Sequence, residues 1–257
     1  MADQGSRVSD AKVSWARQVV SLLPALLNRE QAGEAFRAVA AHQKSPEAEC
    51  PCCGYRGRFE SFGLDNLISA QCPGCQSLHR HRLLALAVRD GAVTFSGQDV
   101  LHFAPEPIMT KIITGTGPKS YLTADITHGR ADEVLNLEKV DKPEGSFDRI
   151  VASHVLEHVN DGLAMAELYR ILRPDGALIA MVPLVNGWSE TYEDAAITSD
   201  RARAEHYGQY DHMRFYGADF RDRLQAHGFK VRDYTALGRS SLEYSLLRGD
   251  KVFICEK

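Results

Sequence analysis

What this sequence lacks narrows what it can be. No apolar run approaches the ~18 residues that a membrane-spanning helix requires; the longest candidate, Val19 to Leu27, is interrupted by Ser21 and Pro24. Charge of neither sign dominates. Thirty basic residues against 34 acidic ones leave a net charge of −4, so no general attraction to nucleic acid is implied. The opening Met1-Ala2-Asp3-Gln4-Gly5 has no basic stretch followed by an apolar one. No signal peptide is expected, and a cytoplasmic protein is. Internal repeats and low-complexity tracts are missing too. Cysteine is nearly absent outside one stretch: five of the six fall between Cys50 and Cys75. That distribution argues against a disulfide framework and for a metal site.

Cys50, Cys53, Cys72 and Cys75 form C-x2-C-x18-C-x2-C, a zinc-ribbon spacing. Two residues between cysteines let a tight turn present both sulfurs to one ion, with glycine supplying the awkward backbone angles. Two such knuckles close a tetrahedral thiolate site with no open position, so a structural zinc is expected. Cys52 can replace Cys50 or Cys53, but only Cys50 with Cys53 keeps two residues between ligands. A module this small has no self-sufficient core, so the metal supplies its folding energy.

The rest of the chain is organised around residues 147 to 183. Phe147 to Ser153 is a short bounded apolar run, as a buried strand would be. Ala164, Leu168, Ile171 and Leu172 share one helix face. Pro174 and Gly176 are read as ending that helix, and Ala177 to Val182 as a strand covered on both faces. Strand, helix and strand make a βαβ unit. Ligands of such sheets sit beyond the carboxyl ends of the strands, which places Ser153-His154-Val155-Leu156-Glu157 at a crevice.

Other segments read as follows. Ser9 to Asn28 and Glu30 to His42 are helices that are read as a packing appendage, with a partner surface as the alternative. Ser77 to Arg89 is a helix capped by Ser77. Its Arg80, His81 and Arg82 are read as a solvated face or as pins between the cysteine module and the main domain, with contact to an acidic ligand group as the lesser reading. Asp99 to Phe103, Lys119 to Asp125 and Ala131 to Leu137 are strands, the first followed by Ala104-Pro105-Glu106-Pro107. Leu184 to Gly217 is irregular and long enough for a lid or binding segment. Ala218 to His227 is a helix ended by Gly228, and Phe229 to Tyr234 and Lys251 to Glu256 are closing strands.

The pattern FDxIxxxHVLEHV followed by ELYRILRPDGxLI resembles class I methyltransferases that use S-adenosylmethionine, over roughly residues 98 to 257. The chain is further similar to a subgroup with a Leu-His-x-Ala-Pro-Glu loop and a cysteine-rich N-terminal module. The family's usual acid and Gly-x-Gly-x-Gly loop are altered here. His102 stands for the acid, Ala104 for the first glycine and Glu106 for the second, and Pro105 stiffens the loop.

The resemblance implies an α/β fold: a Rossmann-like, mostly parallel seven-stranded sheet in three layers, with N-terminal helices and a zinc ribbon. The implied domains are residues 1–45, 46–90 and 91–257. The implied cofactor contacts are His102, Ala104, Pro105, Glu106, Asp125, Ile126, Asn136, Leu137, Ser153 and His154. Glu106 is read as pairing with the cofactor's ammonium group, or as capping the next helix. Asp125 would accept from the ribose hydroxyls, or form a turn. Asn136 and Leu137 would lie near the adenine, with Asp132 competing for that role. His212, in the irregular segment, is the expected general base, with His154 its rival; a surface or capping role for His212 stays open. A small-molecule acceptor is expected, with two rivals. One is an RNA methyltransferase gripping RNA through the zinc module and Arg80 to Arg82. The other is a cofactor-binding scaffold without catalysis.

Overall fold

The computed structural model describes residues 46–62 and 67–257. The two N-terminal helices expected from the sequence lie outside the described residues.

Four short strands come first: β1 (Ala48–Glu49), β2 (Arg56–Gly57), β3 (Glu60–Phe62) and β4 (Leu67–Gln71). They pair as two antiparallel ribbons, β1 with β2 and β3 with β4. The two cysteine turns between them share one hydrogen-bond pattern. Cys50 N donates to Tyr55 O and Gly54 N to Cys50 O, both at 2.8 Å. Cys72 N donates to Ser77 O at 3.0 Å and Gln76 N to Cys72 O at 2.7 Å. Each turn closes on a left-handed residue, Gly54 at φ +75° and Gln76 at φ +63°. Glycine takes that conformation freely and glutamine does not.

Helix α1 (His79–Arg89) leads into the main sheet. The sheet's strands are β5 (Asp99–Phe103), β6 (Ser120–Asp125), β7 (Glu133–Val134), β8 (Phe147–Ser153), β9 (Leu172–Met181), β10 (Lys230–Thr235) and β11 (Lys251–Glu256). Their order is β10-β11-β9-β8-β5-β6-β7. Every neighbouring pair is parallel except the two made by β11, so the mostly parallel seven-stranded sheet expected from the sequence is present. The connecting helices are α2 (Pro107–Thr114), α3 (Asp161–Ile171), α4 (Asp200–Tyr207), α5 (Phe220–Ala226) and α6 (Gly238–Glu243).

Strand alternation builds three layers. Ile150, Ala152, Leu178, Ala180 and Phe253 pack on one side with Ala164, Leu168 and Ile171 of α3 and Phe220 of α5. Val151, Ile179, Val252 and Ile254 pack on the other with Leu83, Leu84 and Leu86 of α1 and Met109 and Ile113 of α2. Both faces are covered, which is why these strands read as near-continuous apolar runs. The sixth cysteine, Cys255, is buried in the first layer.

Several local expectations are corrected. Helix α1 starts at His79 with Leu78 at its cap; the Ser77 hydroxyl lies 3.2 Å from Cys50 Sγ instead. Helix α3 ends at Ile171 and β9 begins at Leu172, so Pro174 and Gly176 sit inside an irregular strand start. Asp175 there adopts φ +64°. The third strand shrinks to two residues. The segment from Leu184 to Gly217 contains α4, where Ser199 Oγ accepts from Ala202 N and Gly208 closes the helix at φ +78°. Residues alternating in charge with little apolar content hid that helix.

Candidate active site

Strands β5, β6, β7 and β8 are mutually parallel, so the loops after them emerge on one edge of the sheet. That edge gathers Ala104-Pro105-Glu106, Asp125-Ile126, Asn136-Leu137 and Ser153-His154. Ala104 adopts φ +48° and His154 φ +54°. A left-handed alanine costs about 1 kcal/mol, so the loop keeps the sharp turn that a glycine would have made freely. Asp125 Oδ1 accepts from Thr127 N at 2.7 Å, while Oδ2 makes no hydrogen bond of its own in this arrangement. Ile126 beside it is 66% exposed. Asn136 is exposed, with Oδ1 accepting from Glu138 N at 2.9 Å, and Leu137 is buried. Asp132, the competitor for the adenine end, is taken up by the Thr123 N–H and hydroxyl at 3.0 and 2.7 Å.

Glu106 occupies the N-cap position of α2, but its side chain makes no cap. Arg80 of α1 donates to both of its oxygens, from Nε at 3.1 Å and Nη2 at 2.5 Å. His81 Nε2 lies 3.0 Å from Oε2. Burial pushes the Glu106 carboxyl up, but its His81 and Arg80 partners outweigh that and hold it at about 2. His102, within β5, is fully buried; Nδ1 lies 2.8 Å from the Tyr121 hydroxyl and Nε2 has no partner. Burial pushes its pKa down to about 4. Ser153 Oγ is also buried and unpartnered.

After β8 the chain makes a 3-10 turn, Leu156–His158, that meets residues 211 to 216. Met213 N donates to Glu157 O at 2.8 Å. Arg214 donates to Leu156 O and Val159 O at 3.0 and 2.7 Å and to Glu193 at 2.7 Å. The Tyr216 hydroxyl is 3.1 Å from both Leu156 O and Asp161 Oδ2. These bonds fasten the irregular segment to the sheet's ligand edge. His212 is only 4% exposed and packs edge-on against His158, with ring centroids 4.7 Å apart.

The match to known proteins follows the same residues. Residues 92–234, more than half of the chain, fit the family model described as a methyltransferase domain. The chain belongs to the methyltransferase domain family. It is therefore a methyltransferase, an enzyme.

Solved structures with a similar fold include three at low identity. An S-adenosylmethionine-dependent methyltransferase from Mesorhizobium loti is 14% identical, with 68% of this chain and 98% of that chain covered at a TM-score of 0.49. A 1,6-didemethyltoxoflavin-N1-methyltransferase from Burkholderia thailandensis is 16% identical over 68% and 76%, at 0.48. A chain of the complex containing the Haloferax volcanii Trm112 methyltransferase activator is 12% identical over 69% and 90%, at 0.51. At such identities the likeness concerns the fold alone. No curated protein sequence matches this chain significantly.

Cys50, Cys53, Cys72 and Cys75 of this methyltransferase bring their sulfurs within 4.8 Å of one another, and Cys52 is not in that group. Two sulfur pairs, Cys50 with Cys75 and Cys53 with Cys72, are 3.7 Å apart. Zinc–sulfur bonds of about 2.3 Å in a tetrahedron give sulfur pairs about 3.8 Å apart. The cluster is compatible with zinc. Arg82 joins it to the enzyme. Its side chain is fully buried and donates to Ala70 O at 3.0 Å, Ser77 O at 2.5 Å, Tyr244 O at 2.9 Å and Ser245 O, with its guanidinium 4.6 Å over the Phe59 ring.

Two groupings escaped the sequence reading. The approach of Arg80 and His81 to Glu106 spans more than twenty residues and has no local signal. The cluster of Glu157, His158 and His212 had one: a carboxylate and an imidazole adjacent in Leu156-Glu157-His158, with a third ligand type in the segment after β9.

Proposed function

We propose that this enzyme transfers the methyl group of S-adenosylmethionine to an oxygen, nitrogen or carbon nucleophile of a small molecule. The observation that carries the reading is the convergence of four strand-end loops on one edge, in a chain of the methyltransferase family. The residues there suit the cofactor. Asp125 retains an acceptor oxygen for vicinal hydroxyls, exposed Ile126 offers an apolar face, and Asn136 offers an amide to a ring amine. Glu106, held ionised by Arg80 at the strand-end loop, presents a carboxylate suited to the cofactor's ammonium group. Bound there, the cofactor supplies an already activated methyl group. The protein's own work is then orientation and the exclusion of water. His154, at the end of β8 with a partly exposed ring, is the residue we place against the acceptor.

The four cysteines are proposed to hold a structural zinc, because their spacing and sulfur separations suit a closed thiolate site. The RNA-binding alternative loses its main support. Arg82 is fully buried and Arg80 is spent on Glu106, so neither is free for phosphates. Methyl-labelled cofactor incubated with fractionated extracts tests the reading. Label in small molecules is the expected result. Label confined to RNA overturns the acceptor class, and tight cofactor binding with no label in any fraction favours the scaffold.

A further inference from the structure

We infer that Glu157, His158 and His212 form a second metal site, which binds a divalent transition-metal ion and is separate from the cysteine cluster. One donor atom from each of the three lies within 4.8 Å of the others, close enough to share an ion. The carboxylate is the decisive group. The Glu157 side chain is 0% exposed, yet neither of its oxygens has a hydrogen-bond partner. The nearest side-chain nitrogen recorded, His154 Nδ1, is 3.3 Å from Oε1 without hydrogen-bond geometry. Arg214, which holds the adjoining turn, donates from Nε to Glu193 and from Nη1 to Leu156 O and Val159 O, and its Nη2 lies 3.7 Å from Asp161 Oδ1. A buried, unpaired carboxylate is costly, and buried charges are normally paired or coordinate a metal.

The two imidazoles are set up to complement it. His212 Nδ1 lies 3.1 Å from Tyr207 O. A carbonyl only accepts, so Nδ1 carries the proton and Nε2 keeps a free lone pair. Asp211 Oδ2 lies 3.3 Å from His158 Nδ1, without hydrogen-bond geometry, and sets a second carboxylate beside that ring. Met213 N, bonded to Glu157 O, fixes the segment bearing His212 against the turn bearing the other two ligands. Two imidazoles and one carboxylate suit the divalent ions from manganese to zinc, rather than the all-oxygen preference of magnesium and calcium. Three protein ligands leave a position open. The site is not sealed: the His158 side chain is 29% exposed, so water or an anionic or hydroxyl oxygen can complete the coordination. This contrasts with the closed four-cysteine cluster.

The test measures binding directly, without cofactor or acceptor, so its outcome is independent of the methyl-transfer reading. The whole protein is dialysed against a chelator until its metal content is constant, then titrated with Mn2+ while free Mn2+ is followed by electron paramagnetic resonance. Manganese avoids thiolate ligands, which keeps the cysteine cluster out of the signal. One Mn2+ bound per chain is expected. Glu157→Gln, which preserves shape, and His212→Ala should each weaken binding at least ~10-fold. Absence of Mn2+ binding by the folded wild-type protein overturns the assignment. So does binding that both Glu157→Gln and His212→Ala leave unchanged.

Discussion

Replacing Arg82 by methionine should loosen the cysteine module from the sheet. The substitution keeps most of the side chain's apolar stem and removes the guanidinium. Four backbone carbonyls lose a donor: Ala70, Ser77, Tyr244 and Ser245. The Ala70 and Ser77 contacts are buried, while those to Tyr244 and Ser245 are partly exposed and can be reclaimed by water. Ser77 O keeps Cys72 N as a donor, so the buried Ala70 carbonyl is the one left stranded, at a cost of about 1–3 kcal/mol. Set against that is relief from burying a charge, which in other proteins makes apolar replacement of a buried ion close to neutral. Here the relief is smaller, because the cysteine sulfurs beside the cation would carry negative charge when they hold a metal. Burial pulls the Arg82 pKa down to about 10, against an opposing pull from Cys50, Cys52, Cys72 and Cys75. The net expectation is a loss of about 1–3 kcal/mol. Urea denaturation gives the total, and hydrogen exchange locates it: amides of residues 46–62 should exchange faster while those of β5 and β8 stay protected. Arg82→Lys, with one donor group in place of a fork, should recover less than half of the loss. A methionine variant within 0.5 kcal/mol of wild type, with unchanged exchange in the module, would refute the idea that Arg82 clamps the two parts together.

Three further outcomes are expected. Cys72→Ser should lower zinc content by close to one ion per chain in elemental analysis and destabilise residues 46–77 more than the sheet; a full complement of zinc in the folded variant would count against the cluster. Asp125→Ala should weaken S-adenosylmethionine binding by about 1–3 kcal/mol in calorimetry, since hydroxyls of the ligand lose their acceptor; unchanged affinity would remove Asp125 from the cofactor site. Stability should fall with acid through His102, whose folded-state pKa of about 4 lies below the ordinary 6.5. Between those values the unfolded chain binds a proton that the folded chain does not, so stability is full above pH 6.5 and declines as pH drops toward 4. His102→Gln should flatten the decline between pH 7 and pH 4.5 by about 2 kcal/mol in urea midpoints, and an identical slope in the two proteins would contradict it.

Legibility in the sequence followed the range over which each feature is encoded. Strands β5, β8 and β11 were readable because each is a short apolar run between breakers, and burial on both faces leaves few polar positions to confuse it. The cysteine turns were readable for a different reason: metal geometry fixes the spacing within each pair, whatever lies between the pairs. Helix α4 was not readable. Its sequence, Asp200-Arg-Ala-Arg-Ala-Glu-His-Tyr207, has no apolar stripe, and only Tyr207 of the eight is buried. Its ends were marked locally by Ser199 and Gly208, but caps without a periodic face are a weak signal. The start of β9 misled for the opposite reason. Pro174 and Gly176 are strong breakers, yet the pairing of Phe147 with Leu172 extends the strand past them as an irregularity.

The site shows where such reading stops. Each of its residues lies in a stretch that was singled out, but the roles depend on contacts that no spacing announces. Glu106 sits where a helix cap was plausible, and only the approach of α1 turns it into the partner of Arg80 and His81. Arg80 and Arg82 stand two residues apart on one helix and so face different surroundings, because alternate positions on a helix do not share a side. One reaches the strand-end loop and the other is buried beneath the cysteine turns. A single basic run therefore serves the proposed cofactor edge and the proposed zinc module at once. Any change that shifts helix α1 should disturb both, and the coupling follows from the packing of Leu83, Leu84 and Leu86 against the sheet between them.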